Sequence, residues 1–567
     1  LNNSKEMKNI LFLSLFFWFY MLNAQEKSPN IVWIVCEDIS PFIGAYGDSI
    51  VSTPNIDRLA SEGVKYTRVF TVAGVCAPSR SSIITGMYPT SIGTQHMRTT
   101  AGDPKYMGEG VPNYSAVIPA EVKAFPEFLR KAGYYTSNNE KEDYQFDAPV
   151  TVWDESSAAA SYTNRPENAP FFSVYNLFVT HESQMFVPPD TLLVDPADVR
   201  VPAFYEDAPI TRRNIAHLLT NIQIMDEQVG EIISHLKKEG LYEDSYIFFY
   251  SDHGGNLPWM KREILERGTH IPFVVKHPQG KYAGTTVSDL ISSVDFAPTV
   301  LSIAGVELPS YFQGKAFLGE QSEKEKRSYI FAARDRMDEL YDRVRAVRDT
   351  QFRYIYNYMP EKSRYQDLSY RKNMPLMKEL LFLNETDQLD PPAAEWFKSP
   401  KPVEELYDVE NDREELKNLV MDPQYKNKLK ELRQALQNWI KEVGDMSEIP
   451  EKEMVLDLWW NGQGKAPTTD KAEVIETPGG YILQCATEGA SIGYIILQDG
   501  QDLKGSEKKV HTWDGRRYFT DIQSKPIKVE PVWQVYDDEV ISLKKGEKLV
   551  VNAMRIGYQA SLIEFNK

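Results

Sequence analysis

The 567-residue chain contains little cysteine, and this scarcity is the first limit on its chemistry. Only Cys36, Cys76 and Cys485 are present. An odd and sparse set cannot form the disulfide framework that is typical of small secreted domains. Cys36 and Cys485 lie in apolar, strand-like stretches, so a small buried thiol is the simplest interpretation of both. Cys76 instead stands directly before Ala-Pro-Ser-Arg, and a buried thiol, half of a disulfide and the precursor of a reactive group are its three alternatives.

Positive charge is also in short supply. The chain has 63 lysine and arginine residues against 81 aspartate and glutamate residues, which gives a formal net charge of −18. General nucleic-acid binding requires a basic face, so we expect no nucleic-acid partner. An anionic substrate would require a local cluster of cations to overcome the long-range repulsion.

Long apolar runs are scarce as well, and the clearest one stands near the start of the chain. Met7-Lys8 precedes ILFLSLFFWFYML, which is followed by NAQEK. This pattern is typical of an export signal over residues 1–24, with a short upstream extension and cleavage after Ala24. The run is short for a transmembrane helix, and an uncleaved anchor is the alternative. We therefore predict a periplasmic or secreted protein without a stable membrane span.

Apolar strands that end in polar residues alternate with amphipathic helices over the first 340 residues. The stretches NIVWIVCED, PFFSVYNLFVTHES and SYIFFYSDHGG are such strands. The alternation predicts an α/β catalytic domain over 25–340, with a mostly parallel central sheet flanked by helices. A smaller α+β subdomain is predicted over 341–460 and a linker over 461–471. Short alternating strands then predict an all-β accessory domain, a sandwich, over 472–567.

Polar residues follow several of the predicted buried strands at the point where each strand ends. Ligands of open α/β sheets bind beyond the carboxyl ends of the strands, so these positions are candidate site residues. They are Glu37-Asp38, Thr180-His181, Asp252-His253, and the loop from Val75 to Arg80. The acids favour a hard divalent metal, which prefers carboxylate oxygens, and loop or N-cap acids are the alternative. His253 is either a ligand or a neighbour, because imidazole suits softer metals better than calcium.

The segment VCAPSRSSIITG predicts a short helix that begins next to Cys76. Pro78 suits the first turn of a helix and Gly86 suits its end. Free backbone N–H groups at a helix start attract anions and lower the pKa of a cysteine. Arg80, one turn further on, can offer a bidentate fork to an oxyanion. These residues favour an anion site with a reactive group, and a buried structural cysteine is the alternative.

The same segment resembles the signature of the type I, formylglycine-dependent sulfatases, C-x-P-S-R-x-x-x-x-T-G. The resemblance extends over about residues 28–450, through CEDISPFIGAYGD, SDHGG and ELYDVENDREELKNLV. The stretches TSIGTQHMR, FVTHESQ and RDRMDE look like a bacterial polysaccharide-sulfatase branch. The resemblance implies an alkaline-phosphatase-like fold and a sulfuric ester hydrolase. The signature residues that agree are Cys76, Pro78, Ser79, Arg80, Thr85 and Gly86.

The resemblance also implies a role for each matched residue. A formylglycine-generating maturation enzyme would convert Cys76 to 3-oxoalanine (formylglycine), whose hydrated form is a gem-diol. One hydroxyl would attack sulfur and the alcohol of the ester would depart. The second hydroxyl, once deprotonated, would expel sulfate and restore the aldehyde. The implied Ca²⁺ site consists of Glu37, Asp38, Asp252, His253 and the converted Cys76. The other implied catalytic residues are Arg80, Lys141, His181 and Lys261.

The second family signature, G-Y-x-x-x-x-x-G-K-x-x-H, is only partly present. Here it runs GYYTSNNEKEDY, in which Lys141 fits the lysine position. Glu140 stands where glycine is expected, and Asp143 or Tyr144 stands where histidine is expected. We hypothesise that His96, in GTQHMR, replaces this histidine in space, and a surface-loop histidine is the alternative.

Three arginines are candidate substrate-binding residues. Arg98 is a candidate contact for an anionic sugar. Arg334 and Arg336, in ARDRMDE, are candidates for the lining of the substrate pocket, and a solvated charge run is the alternative. Together with Arg80, Lys141 and Lys261, they would supply the local positive field that a sulfated sugar requires.

The predicted function is hydrolysis of sulfate esters on a sulfated carbohydrate by an exported enzyme. The family branch favours algal polysaccharide of the ulvan type, with glycosaminoglycan second. A phosphonate or phosphodiester hydrolase of the same superfamily is one alternative, and an inactive sugar-binding relative is another. The carboxyl-terminal segment resembles the small β-sandwich at the end of chitobiase-type enzymes.

Overall fold

A nine-stranded sheet forms the centre of the amino-terminal part of the protein. The computed structural model describes residues 28–100, 102–498, 500–503, 506–509, 526–529 and 531–567, so the predicted signal peptide lies outside the described residues. The strands of this sheet are β1 (Asn30–Cys36), β2 (Val64–Phe70), β3 (Tyr135–Asn139), β4 (Glu155–Ser156), β5 (Phe171–Leu177), β6 (Ser245–Ser251), β7 (His270–Lys276), β8 (Thr285–Val287) and β9 (Ile291–Ser292).

The strand order is β4-β3-β5-β1-β6-β7-β2-β8, and β9 also pairs with β2. Strand β7 runs antiparallel to β6 and β2. The other pairings of this sheet are parallel. The prediction of a mostly parallel central sheet is therefore confirmed.

Strand β1 shows why an uninterrupted apolar run predicts a central strand. All seven of its residues are buried. Its alternate side chains face two different hydrophobic clusters, with Trp33 in one and Ile34 in the other. A strand covered by helices on both faces has no solvent side, so it needs no alternation of polar residues.

Helices cover both faces of the sheet. Leu59 and Leu218 belong to the cluster that contains Ile34, whereas Ile84 and Phe296 belong to the cluster that contains Trp33. The α-helices of the described residues, including those that pack outside the central sheet, are α1 (Pro54–Glu62), α2 (Cys76–Thr85), α3 (Pro89–Ile92), α4 (Pro126–Lys131), α5 (Pro209–Lys238), α6 (Glu266–Thr269), α7 (Phe296–Ile303), α8 (Pro375–Glu385), α9 (Pro391–Ala394), α10 (Lys426–Val443) and α11 (Glu451–Glu453), which continues as a π-helix over Met454–Trp459.

A second, antiparallel sheet follows the first. It consists of β10 (Ile330–Met337), β11 (Leu340–Arg348), β12 (Phe352–Asn357) and β13 (Glu404–Asp408), in this order. Helix α10 packs on it through Leu432, Leu436 and Trp439. Strands β11 and β12 pair antiparallel within the stretch VRAVRDTQFRYIYNY. The sheet starts at Ile330, ahead of the boundary predicted at residue 340.

The carboxyl-terminal part contains antiparallel strands. Strands β14 (Glu473–Thr477) and β15 (Gly480–Gln484) form a hairpin, and β17 (Ser506–Lys509) pairs with β18 (Pro526–Val529). Four further strands form a sheet in the order β19-β16-β20-β21, with β16 (Ser491–Leu497), β19 (Gln534–Val535), β20 (Lys548–Met554) and β21 (Ser561–Asn566). The hairpin and the four-stranded sheet share a hydrophobic cluster that includes Leu483 and Val551. The resemblance to a chitobiase-type sandwich stays a prediction.

Within the described ranges, no helix has the length and apolar character that a bilayer crossing requires.

Candidate active site

Four neighbouring strands bring the predicted site residues to one edge of the central sheet. Strands β3, β5, β1 and β6 are adjacent and parallel, so their carboxyl ends meet at this edge. The residues that follow these strands include Lys141, His181, Glu37-Asp38 and Asp252-His253.

Asp38 is the centre of a buried cluster of charged groups. Its Oδ1 lies 2.9 Å from Nε2 of His253. Its backbone N–H donates to Oδ1 of Asp252 at 3.1 Å, and the backbone N–H of Glu182 donates to its Oδ2 at 2.8 Å. Although burial disfavours a carboxylate, the positive charge of Lys261 and His253 lowers the pKa of Asp38 well below its usual value. The carboxylate therefore stays ionised inside the protein.

Cys76 is the first residue of α2, and its thiol faces this cluster. The side chain is nearly inaccessible, with 2% of the residue exposed. Its Sγ lies 3.4 Å from Nε2 of His253, 3.5 Å from Nζ of Lys261 and 3.8 Å from Oδ1 of Asp38. All three cysteines are free, so the disulfide alternative is wrong. The polar neighbours and the helix start distinguish this thiol from Cys36, which is buried among apolar side chains as predicted.

Arg80 connects helix α2 to two strand ends. Its Nε donates to Oδ2 of Asp252 at 3.0 Å, and its Nη1 donates to Oδ1 of Asn176 at 2.8 Å. Its Nη2 lies 3.9 Å from Oε1 of Glu37. Although burial disfavours the guanidinium charge, the Asp252 and Glu37 carboxylates raise the pKa of Arg80. The side chain therefore fixes the acidic loops relative to Cys76.

Two lysines bring positive charge to the thiol. Nζ of Lys141 donates to Oε2 of Glu37 at 2.6 Å, and Nζ of Lys261 donates to Oδ2 of Asp38. Burial disfavours both ammonium groups, yet nearby negative charge, Asp38 foremost at Lys261, raises the pKa of each. Both lysines therefore stay charged.

His181 enters the site from the short 3₁₀ turn Phe178–Thr180. Its ring stacks on Phe178 with centroids 4.7 Å apart, and its Nδ1 lies 2.8 Å from Oγ of Ser183. Its Nε2 lies 3.9 Å from Oε2 of Glu37. Burial, together with the positive charge of Lys261, holds the pKa of His181 well below its usual value. The imidazole is thus neutral near pH 7 and can donate one hydrogen bond.

These groups open into a cleft of about 480 Å³. Acidic and basic side chains both line it, and the cations lie where an anionic substrate would enter. This local positive field contrasts with the net charge of −18 for the whole chain. The lining residues are Glu37, Cys76, Met97, Arg98, Thr100, Asn139, Glu140, Lys141, Asp143, Ala158, Asn176, Phe178, His181, Lys261 and Tyr370.

Arg98 reaches the cleft, at some distance from the acidic cluster. Its guanidinium carbon lies 4.3 Å from the ring centroid of Tyr370 and 5.1 Å from that of Tyr106. Its Nε donates to Oδ1 of Asp338. The side chain is 22% exposed, so the charge is held in place and still faces the cavity.

Three predicted substrate-binding residues do not line the cleft. Arg334 is buried in ion pairs with Glu263, at 2.7 Å, and with Asp342. Arg336 is buried against Glu451, to which its Nε donates at 2.5 Å. The prediction that these arginines line the substrate pocket therefore needs correction, and so does the alternative of a solvated charge run, because buried carboxylates neutralise both side chains.

His96 is the third of these residues. It is 1% exposed, with Nε2 3.3 Å from Nε2 of Gln95, and its Nδ1 lies 3.4 Å from the backbone N–H of Arg336. It therefore does not replace the missing histidine of the second signature. Asp143, from the second signature itself, lines the cleft, with its Oδ2 3.8 Å from Nζ of Lys141.

Several residues of the site were not predicted. Asn176 carried a signal, since it is an amide in an otherwise apolar strand, β5. Glu182 and Arg262 follow His181 and Lys261 in sequence and form a bidentate ion pair at 2.9 Å beneath them. Tyr370 comes from a segment without any pattern that points to the cleft.

The donor atoms fit a divalent cation. Atoms of Asp38, Cys76, Asp252 and His253 lie within 4.8 Å of one another, as do atoms of Glu37, Asp38, Cys76 and His181. Oε1 of Glu37 is buried without a hydrogen-bond partner, so it is available as a ligand. Although burial opposes its charge, the carboxylates of Asp252 and Asp38 raise the pKa of His253 to about 10. The raised pKa shows that the carboxylates attract positive charge to this position, and a divalent cation bound there would take the place of the imidazole proton.

Known proteins are similar to this chain in sequence and in fold. The family model described as Sulfatase matches residues 29–306, and the model described as N-sulphoglucosamine sulphohydrolase, C-terminal, matches residues 255–388. An ulvan-active sulfatase of Formosa agariphila is 41% identical, over 94% of this chain and 90% of that protein.

Solved structures extend the comparison to the fold. One protein, in complex with its substrate D-glucosamine-2-N,6-O-disulfate, matches with a TM-score of 0.53 and 19% identity, over 75% of this chain and 100% of its own. A phosphonate monoester hydrolase from Silicibacter pomeroyi matches with a TM-score of 0.53 and 17% identity, over 74% of this chain and 96% of its own. The chain belongs to the sulfatase family and is a sulfuric ester hydrolase.

Proposed function

We propose that this sulfatase removes sulfate from an ulvan-type polysaccharide or its oligosaccharides, and that Cys76 is the precursor of its nucleophile. The observation that supports the proposal best is the position of Cys76. Its Sγ lies at the start of a helix, lines a cleft with three cations, and is within 4 Å of Asp38, His253 and Lys261.

Conversion of Cys76 to formylglycine by a maturation enzyme would place an aldehyde hydrate at this position. A gem-diol has two hydroxyl groups, so one could attack sulfur with departure of the sugar alcohol, and the other, once deprotonated, could expel sulfate and restore the aldehyde; a thiol has no second hydroxyl to do this. The partial positive charge at the start of α2 favours the negative charge of the reacting group.

The metal ligands in this proposal are Glu37, Asp38, Asp252 and His253, and the proposed ion is Ca²⁺. Carboxylate oxygens are the ligands that calcium prefers. When bound, such a cation supplies positive charge that favours a deprotonated hydroxyl and polarises an ester oxygen. Arg80 orients Asp252 and carries no ligand atom itself.

The remaining residues bind the sulfate group and its sugar. Lys141 and Lys261 face the thiol and are charged, so we assign them to the sulfate oxygens. His181 is neutral near pH 7 and is placed to donate a hydrogen bond to the leaving oxygen. Arg98, held between Tyr106 and Tyr370, is the candidate contact for an acidic group of the sugar chain.

The substrate class comes from the relative that is 41% identical, which is described as ulvan-active. Glycosaminoglycan is the second candidate, supported by the fold neighbour bound to D-glucosamine-2-N,6-O-disulfate. A polysaccharide substrate suits an enzyme outside the cytoplasm, and the apolar run before Ala24 supports export.

Mass spectrometry of the peptide that contains Cys76 tests the nucleophile. Formylglycine makes this peptide about 18 Da lighter than the thiol form, because SH and H are replaced by O. Cys76→Ala should abolish turnover and leave the melting temperature within a few degrees of the wild type. Full activity in Cys76→Ala would refute the proposal.

A substrate screen with the matured enzyme tests the rest. We expect sulfate release from ulvan oligosaccharides to exceed release from heparan sulfate fragments. Turnover of aryl phosphodiesters far above that of every sulfate tested would instead favour the phosphodiesterase alternative.

A further inference from the structure

A second cavity, of about 270 Å³, lies between the outer edge of the central sheet and the carboxyl-terminal β structure. Its size is slightly below the usual range of small-molecule sites, so it suits a small ligand. We name it the edge pocket. Its lining includes Glu142, Trp153, Asp154, Ser156, Pro531 and Trp533.

The edge pocket is next to the catalytic cleft. Glu142 lines the pocket, whereas its two neighbours, Lys141 and Asp143, line the cleft. In the same way Ser157 lines the pocket and Ala158 lines the cleft. Two short segments, 141–143 and 157–158, therefore form the wall between the cavities. A sugar chain that crosses this wall would contact both cavities.

Several polar contacts fix the walls of the edge pocket. The guanidinium of Arg130 donates to Oδ1 of Asp154 at 2.8 Å, to the carbonyl of Val150 at 3.1 Å, and to the carbonyl of Trp533. Oγ of Ser156 donates to Oε1 of Glu142 at 2.7 Å. Arg130 thus holds the backbone of the partly exposed Trp533 at the pocket.

The chemistry of the edge pocket differs from that of the cleft. The partly exposed Trp533 supplies apolar aromatic surface, the buried Trp153 adds only its accessible margin, and carboxylates and hydroxyls supply hydrogen-bond acceptors. Among the described residues that line it, none is a lysine or an arginine, whereas Arg98, Lys141 and Lys261 line the cleft. The pocket therefore favours a ring with hydroxyl donors and no negative charge.

We propose that the edge pocket is a second carbohydrate subsite, which takes an unsulfated sugar unit of the same chain whose sulfated unit occupies the cleft. The inference rests on the proposed function, because it takes the substrate to be a polysaccharide. It gives the carboxyl-terminal β structure, which contributes Trp533, a direct part in substrate selection.

The kinetic test compares long and short substrates in the matured full-length enzyme. Trp533→Ala should raise KM for ulvan oligosaccharides of several units about three- to tenfold, the range that loss of one aromatic contact gives. Turnover of 4-nitrophenyl sulfate, which cannot reach the pocket, should not change. Trp533→Phe should lose less, because it keeps a ring. Val532→Ala, which changes an exposed side chain beside Trp533, is the matched control.

A binding test separates this inference from the proposed function. Chemically desulfated ulvan oligosaccharides are titrated into the Cys76→Ala variant by calorimetry. The titration is repeated with two double variants, which combine Cys76→Ala with Trp533→Ala or with Glu142→Ala. We expect binding that each second substitution weakens about three- to tenfold. An unchanged oligosaccharide KM in Trp533→Ala, or no binding of desulfated chains, would overturn the inference. Failure of the matured enzyme to release sulfate from ulvan would refute the proposed substrate alone.

Discussion

Arg80 carries more of the active-site geometry than its position one turn into a helix suggests. One guanidinium group contacts the loop after β6 through Asp252 and strand β5 through Asn176. Both contacts use different nitrogens of a rigid, planar fork. A lysine ammonium at this position is a single point and could satisfy one of the two partners.

We expect Arg80→Lys to lower kcat/KM for a small aryl sulfate about 10- to 100-fold, the usual cost of losing a group that orients metal ligands. Arg68→Lys is the matched control. Arg68 makes a partly exposed ion pair with Glu410 at 2.9 Å, and such pairs contribute little. Steady-state kinetics at saturating calcium measures both variants. Wild-type kcat/KM in Arg80→Lys would show that the second contact is dispensable.

Local sequence pattern identified some residues of the active site and misplaced others. Cys76, Asp38 and Asp252 stand at strand or helix ends, so local pattern alone pointed to them. Arg334 and Arg336 stand in a charged run. Whether these side chains are buried depends on ion pairs with Glu263 and Glu451, which lie far away in sequence. No local spacing encodes such partners, so the pocket role was the wrong inference.

At the scale of elements, helix α11 secures the segment that carries Arg98. Glu451 accepts from Nε and Nη2 of Arg336 at 2.5 and 2.7 Å and from the hydroxyl of Tyr114 at 2.8 Å. Nη1 of Arg336 in turn donates to the carbonyl of Met97 at 2.8 Å. A short helix near residue 451 thus fixes one wall of a cleft whose chemistry lies in the first 262 residues.

We expect Glu451→Ala to lower the free energy of unfolding by about 3–5 kcal/mol, because Arg336 is left charged and buried without its partner. The loosened segment should also raise KM for ulvan oligosaccharides more than KM for 4-nitrophenyl sulfate. Thermal melting and steady-state kinetics measure the two effects. Glu453→Ala, which changes an exposed residue of the same helix, should leave both values unchanged. Equal melting temperatures for the two variants would contradict the role of the ion pair.

The strands and helices with a clear local hydrophobic pattern could be predicted from the sequence. Strand β1 is apolar at nearly every position and α5 is long and amphipathic, so both followed from the sequence. The antiparallel direction of β7 did not follow from the sequence, because a short apolar run such as PFVV suits a buried parallel strand and a buried antiparallel strand equally well. Direction is set by the connection between Asp252 and Thr269, which returns the chain to the same end of the sheet and contributes Lys261 to the lining of the cleft.

At the scale of the whole molecule, the carboxyl-terminal β structure is packed on the catalytic part. Nζ of Lys123 donates to the carbonyl of Gly489 at 2.6 Å and to Oγ of Ser491 at 3.0 Å. Ile556 is 4% exposed and belongs to the same hydrophobic cluster as Phe125. The linker suggested by NGQGKAPTTDK therefore does not separate two independent bodies, and composition alone could not show this.

Gly489 offers a sharp test of that coupling, because it has φ +74° and approaches the catalytic part closely. A Cβ at this position would lie 2.3 Å from the carbonyl oxygen of Ala120, so Gly489→Ala must displace backbone. Gly546→Ala is the matched control, since its φ is +86° and a Cβ there meets no heavy atom within 4 Å. Both variants carry the left-handed strain of about 1–2 kcal/mol, and only Gly489→Ala adds the clash at the interface.

We expect the full chain to unfold in one calorimetric transition, because a shared core couples its parts. Gly489→Ala should lower the temperature of that transition more than Gly546→Ala does. It should also split the transition into two, because the two parts then unfold separately. Gly489→Ala should also raise KM for long oligosaccharides, because Trp533 directly precedes strand β19 of the displaced β structure. Two transitions already present in the wild type would show instead that the β structure is a separate unit, with Ile556 contributing little to the common core.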